Sequence, residues 1–156
     1  MKITDYFTEK DVLEMEGAGG GSKEEILEQL VDTLVALEKL PSKEPYLSSL
    51  IEREALGTTA VGGGIAIPHA RVRGLESPVM ALFRFKKGIP FGALDSAPVY
   101  LVFLLLAPEE ALELYLRILA RIASILKNQK VKERLLEAPG PREMYHLLRE
   151  EDEKQG

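Results

Sequence analysis

The sequence predicts an α/β fold, a three-layer sandwich in which a central mixed β-sheet is flanked by helices on both faces. Three observations predict it. Residues 99–107 are an unbroken apolar run of nine, too short for the ~20 residues of a membrane-spanning helix and suited to a strand buried on both faces. Apolar residues at helical spacing occur both before this run, within residues 22–56, and after it, within residues 108–150. The stretch between is rich in glycine, threonine, β-branched and aromatic residues, the composition of strands and turns. With 156 residues the chain is long enough for one self-sufficient core, and a single domain over 1–156 is expected.

The elements follow in order. Met1-Lys2-Ile3-Thr4-Asp5-Tyr6-Phe7 alternates polar and apolar residues and lacks the apolar core of a signal peptide. Gly17-Ala18-Gly19-Gly20-Gly21 reads as a loop. Ser22 with Glu25 three residues on forms a capping box that satisfies free amides at a helix start. Ile26, Leu27, Leu30, Val31, Leu34, Leu37 and Leu40 then continue at helical spacing until Pro41 stops them. A second helix over 45–56 places Leu47, Leu50, Ile51 and Ala55 inward and ends at Gly57. Residues 79–85 and 99–106 are strands, separated by turn residues Gly88, Pro90, Gly92 and Asp95.

A long helix is expected from Pro108, with Glu109 and Glu110 complementing the positive end of its dipole. Leu112, Tyr115, Leu119, Ile122 and Leu126 form its stripe, widened by Leu114, Ile118 and Ile125. Helices near 131–137 and 141–150 close the chain, and residues 150–156 form a charged tail expected to fray.

Composition narrows the function. Twenty-five acidic against 20 basic residues give a formal charge of -5, which disfavours a broad nucleic-acid-binding surface. With no cysteine there is no disulfide, thiolate zinc site or cysteine nucleophile, and two histidines, His69 and His146, do not make a multi-histidine metal site. No metal or cofactor is expected. A soluble cytoplasmic protein, without membrane insertion, is the expectation.

The glycine cluster invites two phosphate-binding readings. Gly57 and Gly62 have P-loop spacing, but Gly63-Gly64 stand where Lys and Ser/Thr are needed. Gly62 and Gly64 begin a dinucleotide fingerprint, but Ile67 holds the third glycine position and Pro68 interrupts a helix there. What remains is Gly62-Gly63-Gly64-Ile65-Ala66-Ile67-Pro68-His69-Ala70-Arg71. Ile65 and Ile67 share one face of an extended segment, and Pro68 delivers His69 at a fixed exit from it, flanked by small residues that leave the imidazole accessible. Upstream glycine amides are available to an anion. The same residues also read as a turn histidine with one ring nitrogen bonded to a carbonyl, beside a tight glycine loop.

The run Arg53-Glu54-Ala55-Leu56-Gly57-Thr58-Thr59-Ala60-Val61-Gly62-Gly63-Gly64-Ile65-Ala66-Ile67-Pro68-His69-Ala70-Arg71 closely resembles the active-site signature of enzyme IIA domains of the bacterial phosphotransferase system, in their fructose–mannitol and nitrogen-regulatory class. Pro90-Phe91-Gly92-Ala93-Leu94-Asp95 and residues 98–108 resemble the same family, so the likeness covers nearly the whole chain. The resemblance implies that His69 accepts a phosphoryl group from an HPr-like phosphocarrier protein and passes it to a IIB domain or holds it as a regulatory mark on a target protein. It implies that Arg53 lies beside that histidine and that Thr59 lines the pocket.

The chemistry is consistent with this. Neutral imidazole is the nucleophile, and an ordinary pKa of ~6.5 keeps most of it neutral near pH 7. Phosphoryl transfer needs in-line approach and neutralised equatorial oxygens, for which Arg53 supplies charge, Thr59 a hydroxyl, and Thr58, Gly62, Gly63 and Gly64 further donors. Members of the family usually carry a second histidine on the helix after the Pro108-like turn; here Tyr115 stands there, able to donate a hydrogen bond but not to carry positive charge. Arg117 is a candidate substitute charge, although two residues along a helix point it elsewhere. His146 is read as a surface or helix-terminal residue. A docking surface around His69 would draw on Leu56, Val61, Ile65 or Phe91. The competing expectation is a regulatory binding module of the same fold that is not phosphorylated; a hydrolase lacks a nucleophile–base pair.

Overall fold

The computed structural model describes residues 1–16 and 21–156, so the glycine loop expected at 17–21 lies, except for Gly21, outside the described residues. Two 3₁₀ turns, Ile3–Asp5 and Glu9–Asp11, open the chain. They are followed by strand β1 (Val12–Met15), helices α1 (Lys23–Ala36) and α2 (Tyr46–Ala55), and strands β2 (Ala60–Gly62), β3 (Ile65–Ala66), β4 (His69–Val72), β5 (Val79–Ile89) and β6 (Val99–Pro108). Helices α3 (Leu112–Lys127), α4 (Gln129–Glu137) and α5 (Pro141–Lys154) complete it.

The strands form one mixed sheet in the order β1-β5-β6-β3-β2, with β4 also paired to β6. β1 runs parallel to β5, β5 antiparallel to β6, and both β3 and β4 parallel to β6. β3 and β4 share one edge of β6 in tandem: Ile65 and Ala66 lie opposite Leu101 and Val102, while His69 lies opposite Leu105 and Val72 opposite Pro108. Ile67 and Pro68 bridge the two.

The apolar run of β6 is buried on both faces, as its composition requires. Val102, Leu104 and Leu106 join a core with α1 and α2; Leu101, Phe103, Leu105 and Ala107 join a second core with the first 3₁₀ turn, α3, α4 and α5. The chain is therefore an α/β sandwich with helices on both faces.

Several boundaries differ from expectation for identifiable reasons. Ser22 and Glu25 make the expected capping box on α1. That helix ends at Ala36 rather than near Leu40, because Glu38 adopts φ 61° and the amides of Lys39 and Leu40 turn back onto the Leu34 carbonyl, which leaves Leu37 exposed and buries Leu40. In α2, Ala55 faces solvent and Glu54 is buried. Pro108 does not start α3: it is the last residue of β6, and a turn closed by the Ala111 amide on its carbonyl (3.0 Å) precedes the helix. Leu112 is consequently exposed, and Tyr115, Ile118, Ile122, Ile125 and Leu126 form the buried stripe.

The charged tail is not frayed. α5 continues to Lys154, and the fully buried Asp152 accepts from the amides of Ile3 (3.2 Å) and Thr4 (3.0 Å), from the Thr4 hydroxyl (3.0 Å) and from Arg121. Among the described residues no helix is long and apolar enough to cross a membrane.

Candidate functional site

The geometry around His69 is set by the break between β3 and β4. The Pro68 carbonyl accepts from the Leu105 amide at 2.9 Å and the Ile67 amide donates to the Thr59 carbonyl at 3.1 Å, so the bridging dipeptide is held from both sides. This aims the Ile67 carbonyl at Nδ1 of His69, and the two are hydrogen-bonded. A carbonyl can only accept, so Nδ1 carries the proton and Nε2 keeps its lone pair. The small neighbours suggested an open imidazole, but the residue is only 9% exposed, with the Tyr115 ring 5.9 Å from its own. Burial pushes its pKa down, the Ile67 bond opposes this, and the positive charge of Arg53 adds to the depression while Glu54 counters it. The ring therefore favours the neutral form, and among the described residues no hydrogen-bond partner meets Nε2.

His69 and Arg71 are two apart on β4 and point to the same face. Tyr115 of α3 lies between them, its ring 5.9 Å from the imidazole and 5.9 Å from the Arg71 guanidinium carbon. Arg71 also donates to the Glu109 carbonyl at 2.9 Å. Burial raises the Tyr115 pKa, with Arg53 and Arg71 pulling the other way, so the phenol keeps its proton and can donate. Arg53 is thus close enough to act electrostatically on both rings; one of its N–H groups holds the Gly57 carbonyl at 3.0 Å.

Behind these residues lies a buried carboxylate that the sequence did not single out. Glu54 accepts from Lys23 Nζ (2.9 Å), the Thr59 amide (3.2 Å) and the Thr59 hydroxyl. The hydroxyl expected to face a phosphate therefore has its proton committed to Glu54. The Thr58 hydroxyl accepts from Lys23 (3.1 Å) and the Ala60 amide (3.1 Å). The only sequence signal for this network is that Glu54 and Thr59 flank the α2 C-terminus, within reach of one another.

The three glycines stand apart from the histidine. Gly62, Gly63 and Gly64 turn between β2 and β3 with φ of 104°, 68° and 80°, a conformation that favours glycine. The Gly63 amide is taken by Asp95 at 3.0 Å, and the Gly64 carbonyl by the Tyr100 and Leu101 amides. Leu101 and Leu105 on β6 separate this turn from His69 by four residues, about 13 Å at strand rise. The turn instead borders a pocket of about 380 Å³ with Lys127 and Lys132.

Arg117 is not a substitute charge at the histidine, since it faces solvent and pairs with Glu113 at 2.9 Å. The cation beside Tyr115 is Arg71, for which the strand period of two was the available signal. His146 sits on α5, half-buried, lining a separate groove with Arg134 and Glu150. Of the apolar residues expected around the histidine, Leu56 is 85% exposed at the end of α2, whereas Ile65 and Phe91 are buried; the Val61 side chain lies outside what is described. Among the described residues, no group of three or more His, Asp or Glu side chains gathers as a metal site.

The family described as "Phosphoenolpyruvate-dependent sugar phosphotransferase system, EIIA 2" matches residues 7–151. A nitrogen regulatory protein of Pseudomonas aeruginosa is 44% identical over 131 residues, covering 83% of this chain and 84% of that protein. A phosphotransferase system fructose-specific EIIA component of Haloferax volcanii is 36% identical over 129 residues, covering 83% and 84%. Among solved structures, the nitrogen regulatory protein IIA-Ntr of Neisseria meningitidis superposes with a TM-score of 0.82 at 30% identity, covering 94% of this chain and 98% of that one.

Proposed function

We propose, because this chain belongs to the EIIA 2 family of the phosphoenolpyruvate-dependent sugar phosphotransferase system, that it works as a phosphocarrier whose phosphoryl group is borne on Nε2 of His69. The observation that carries the reading is the Ile67 carbonyl on Nδ1, which commits the proton to one nitrogen and leaves the other as the nucleophile. The donor is an HPr-like phosphocarrier protein. The Nε2 lone pair forms the new N–P bond as the donor's N–P bond breaks, and the donor nitrogen keeps the departing pair. The positive charge gained by the imidazole is offset by the Nδ1–H bond to Ile67 and by the nearby Glu54 carboxylate. Arg53 neutralises the phosphoryl oxygens. Thr59, Thr58 and Lys23 act one layer back, holding Glu54 in place.

Leu56, Leu112 and Leu116 are exposed on α2 and α3 beside Arg53 and Tyr115, and they form the apolar part of a small, transient docking surface for the donor. The acceptor is a regulatory target protein or a IIB domain; the 44% identity to a nitrogen regulatory protein favours regulation. A carrier that meets such partners works in the cytoplasm. The test is phosphorylation by phosphoenolpyruvate, enzyme I and an HPr-like carrier, followed by intact mass. Wild type gains one acid-labile phosphoryl group and His69→Ala gains none. If wild type also gains none, the chain is a binding module that retains the fold.

A further inference from the structure

The geometry points to Arg71, acting with Tyr115, as the second cationic wall of the phosphoryl site, in the place where the sequence lacks a second histidine. This deepens the phosphocarrier reading and rests on it. Tyr115 can donate one hydrogen bond but carries no charge, and Arg53 on α2 approaches from one side only. Arg71 is the next residue on the His69 face of β4, so the strand itself fixes its direction. Its guanidinium lies over the Tyr115 ring at 5.9 Å, and that ring lies 5.9 Å from the imidazole, so the three side chains form a continuous row. The Glu109 carbonyl, accepting at 2.9 Å from one N–H group, holds the far end of the side chain and leaves further N–H donors on the same planar group. Tyr115, the neighbour of His69, thus feels the charges of both Arg53 and Arg71.

In the transfer step the His69 Nε2 lone pair bonds to phosphorus while the donor's P–N bond opens and the leaving nitrogen retains its pair. Negative charge then sits on three equatorial oxygens, more than one arginine neutralises. The Tyr115 hydroxyl donates to one oxygen, and Arg71 binds another.

Phosphoramidate tests this without a protein docking step, since it transfers its phosphoryl group to histidine and releases ammonia after taking a proton from water. Initial rates of His69 phosphorylation are measured by intact mass with phosphoramidate and, separately, with enzyme I and an HPr-like carrier. Arg71→Gln is expected to slow both by about ten- to a hundredfold. Arg71→Lys regains much of the rate, and the control Arg117→Gln stays within about twofold of wild type, each with an unchanged thermal midpoint. Arg71→Gln within about twofold of wild type overturns the inference, as does slowing with the protein donor alone, which marks a docking role. A lowered midpoint with no recovery in Arg71→Lys also overturns it, marking a structural role. Absence of phosphoryl transfer to His69 in wild type, with either donor, overturns the phosphocarrier reading itself.

Discussion

At the scale of single residues, the proposed phosphocarrier role rests on the protonation of His69. Its pKa lies below the ordinary ~6.5, chiefly because burial penalises the charged ring. Only the neutral ring attacks phosphorus, so the phosphorylation rate by phosphoramidate should stay level as pH falls towards 6.5 and decline only at lower pH. An acid limb with its midpoint at or above 6.5 would contradict the buried, Arg53-facing environment. Glu54 is the second decisive residue: it gathers Lys23 and both donors of Thr59 while almost fully buried. Glu54→Gln keeps the shape but removes the charge that balances Lys23 and opposes Arg53 at the imidazole. It should slow phosphorylation about tenfold or more and cost about 1–3 kcal/mol of stability in urea titrations. A variant with unchanged rate and stability would show that the network does not support the site. The Ile-Pro-His exit drew the sequence reading to His69, with a turn histidine bonded to a carbonyl left as the alternative, whereas nothing drew it to Glu54. A glutamate near a helix end reads as solvent-exposed, and only the approach of α1 and the Thr59 loop buries it.

At the scale of elements, the tandem arrangement of β3 and β4 on β6 makes the site. The sheet edge is interrupted at Ile67-Pro68, which frees a carbonyl to orient the histidine while β4 resumes pairing through Leu105 to Pro108. Tyr115 enters from α3, and its position depends on that helix starting at Leu112 after β6 has run on to Pro108. The later start was hard to read, because a proline followed by two glutamates is also a helix N-terminus; pairing of Pro108 with Val72 decides otherwise. β1 escaped the sequence reading for a related reason. Four residues containing Glu14 carry little periodic signal, and the strand exists through its register on β5. Arg84 of β5 fixes that edge. It is fully buried, donates to Glu14 at 2.8 Å, and holds the Leu135 (2.8 Å) and Ala138 (2.7 Å) carbonyls at the end of α4. Arg84→Ala strands a carboxylate and two carbonyls, and about 3–5 kcal/mol of stability should be lost by chemical denaturation. A loss under 1 kcal/mol would mean that the edge does not depend on it.

At the scale of the whole molecule, two cores on opposite sides of one sheet are closed by contacts between the chain's ends. The sandwich was legible because β6 is apolar on both faces and helical patterns bracket it; the closure was not, because Asp152 sits in a run of charges that resembles a solvated tail. Burial alone would raise the pKa of Asp152, but the Thr4 amide, Arg121, the Ile3 amide and the Thr4 hydroxyl together hold it below the usual carboxylate value. Stability from this group is therefore present above the ordinary value near 4 and is lost as pH falls through the lowered one. Asp152→Asn should cost about 1–3 kcal/mol at pH 7, and the difference from wild type should shrink in acid; a difference independent of pH would contradict the linkage. The central claim, that this fold delivers one neutral imidazole nitrogen to a phosphoryl donor, is tested most directly by intact mass after incubation with phosphoenolpyruvate, enzyme I and an HPr-like carrier. One acid-labile phosphoryl group on wild type and none on His69→Ala is the predicted result; an unmodified wild type, or a group that persists in His69→Ala, would contradict it.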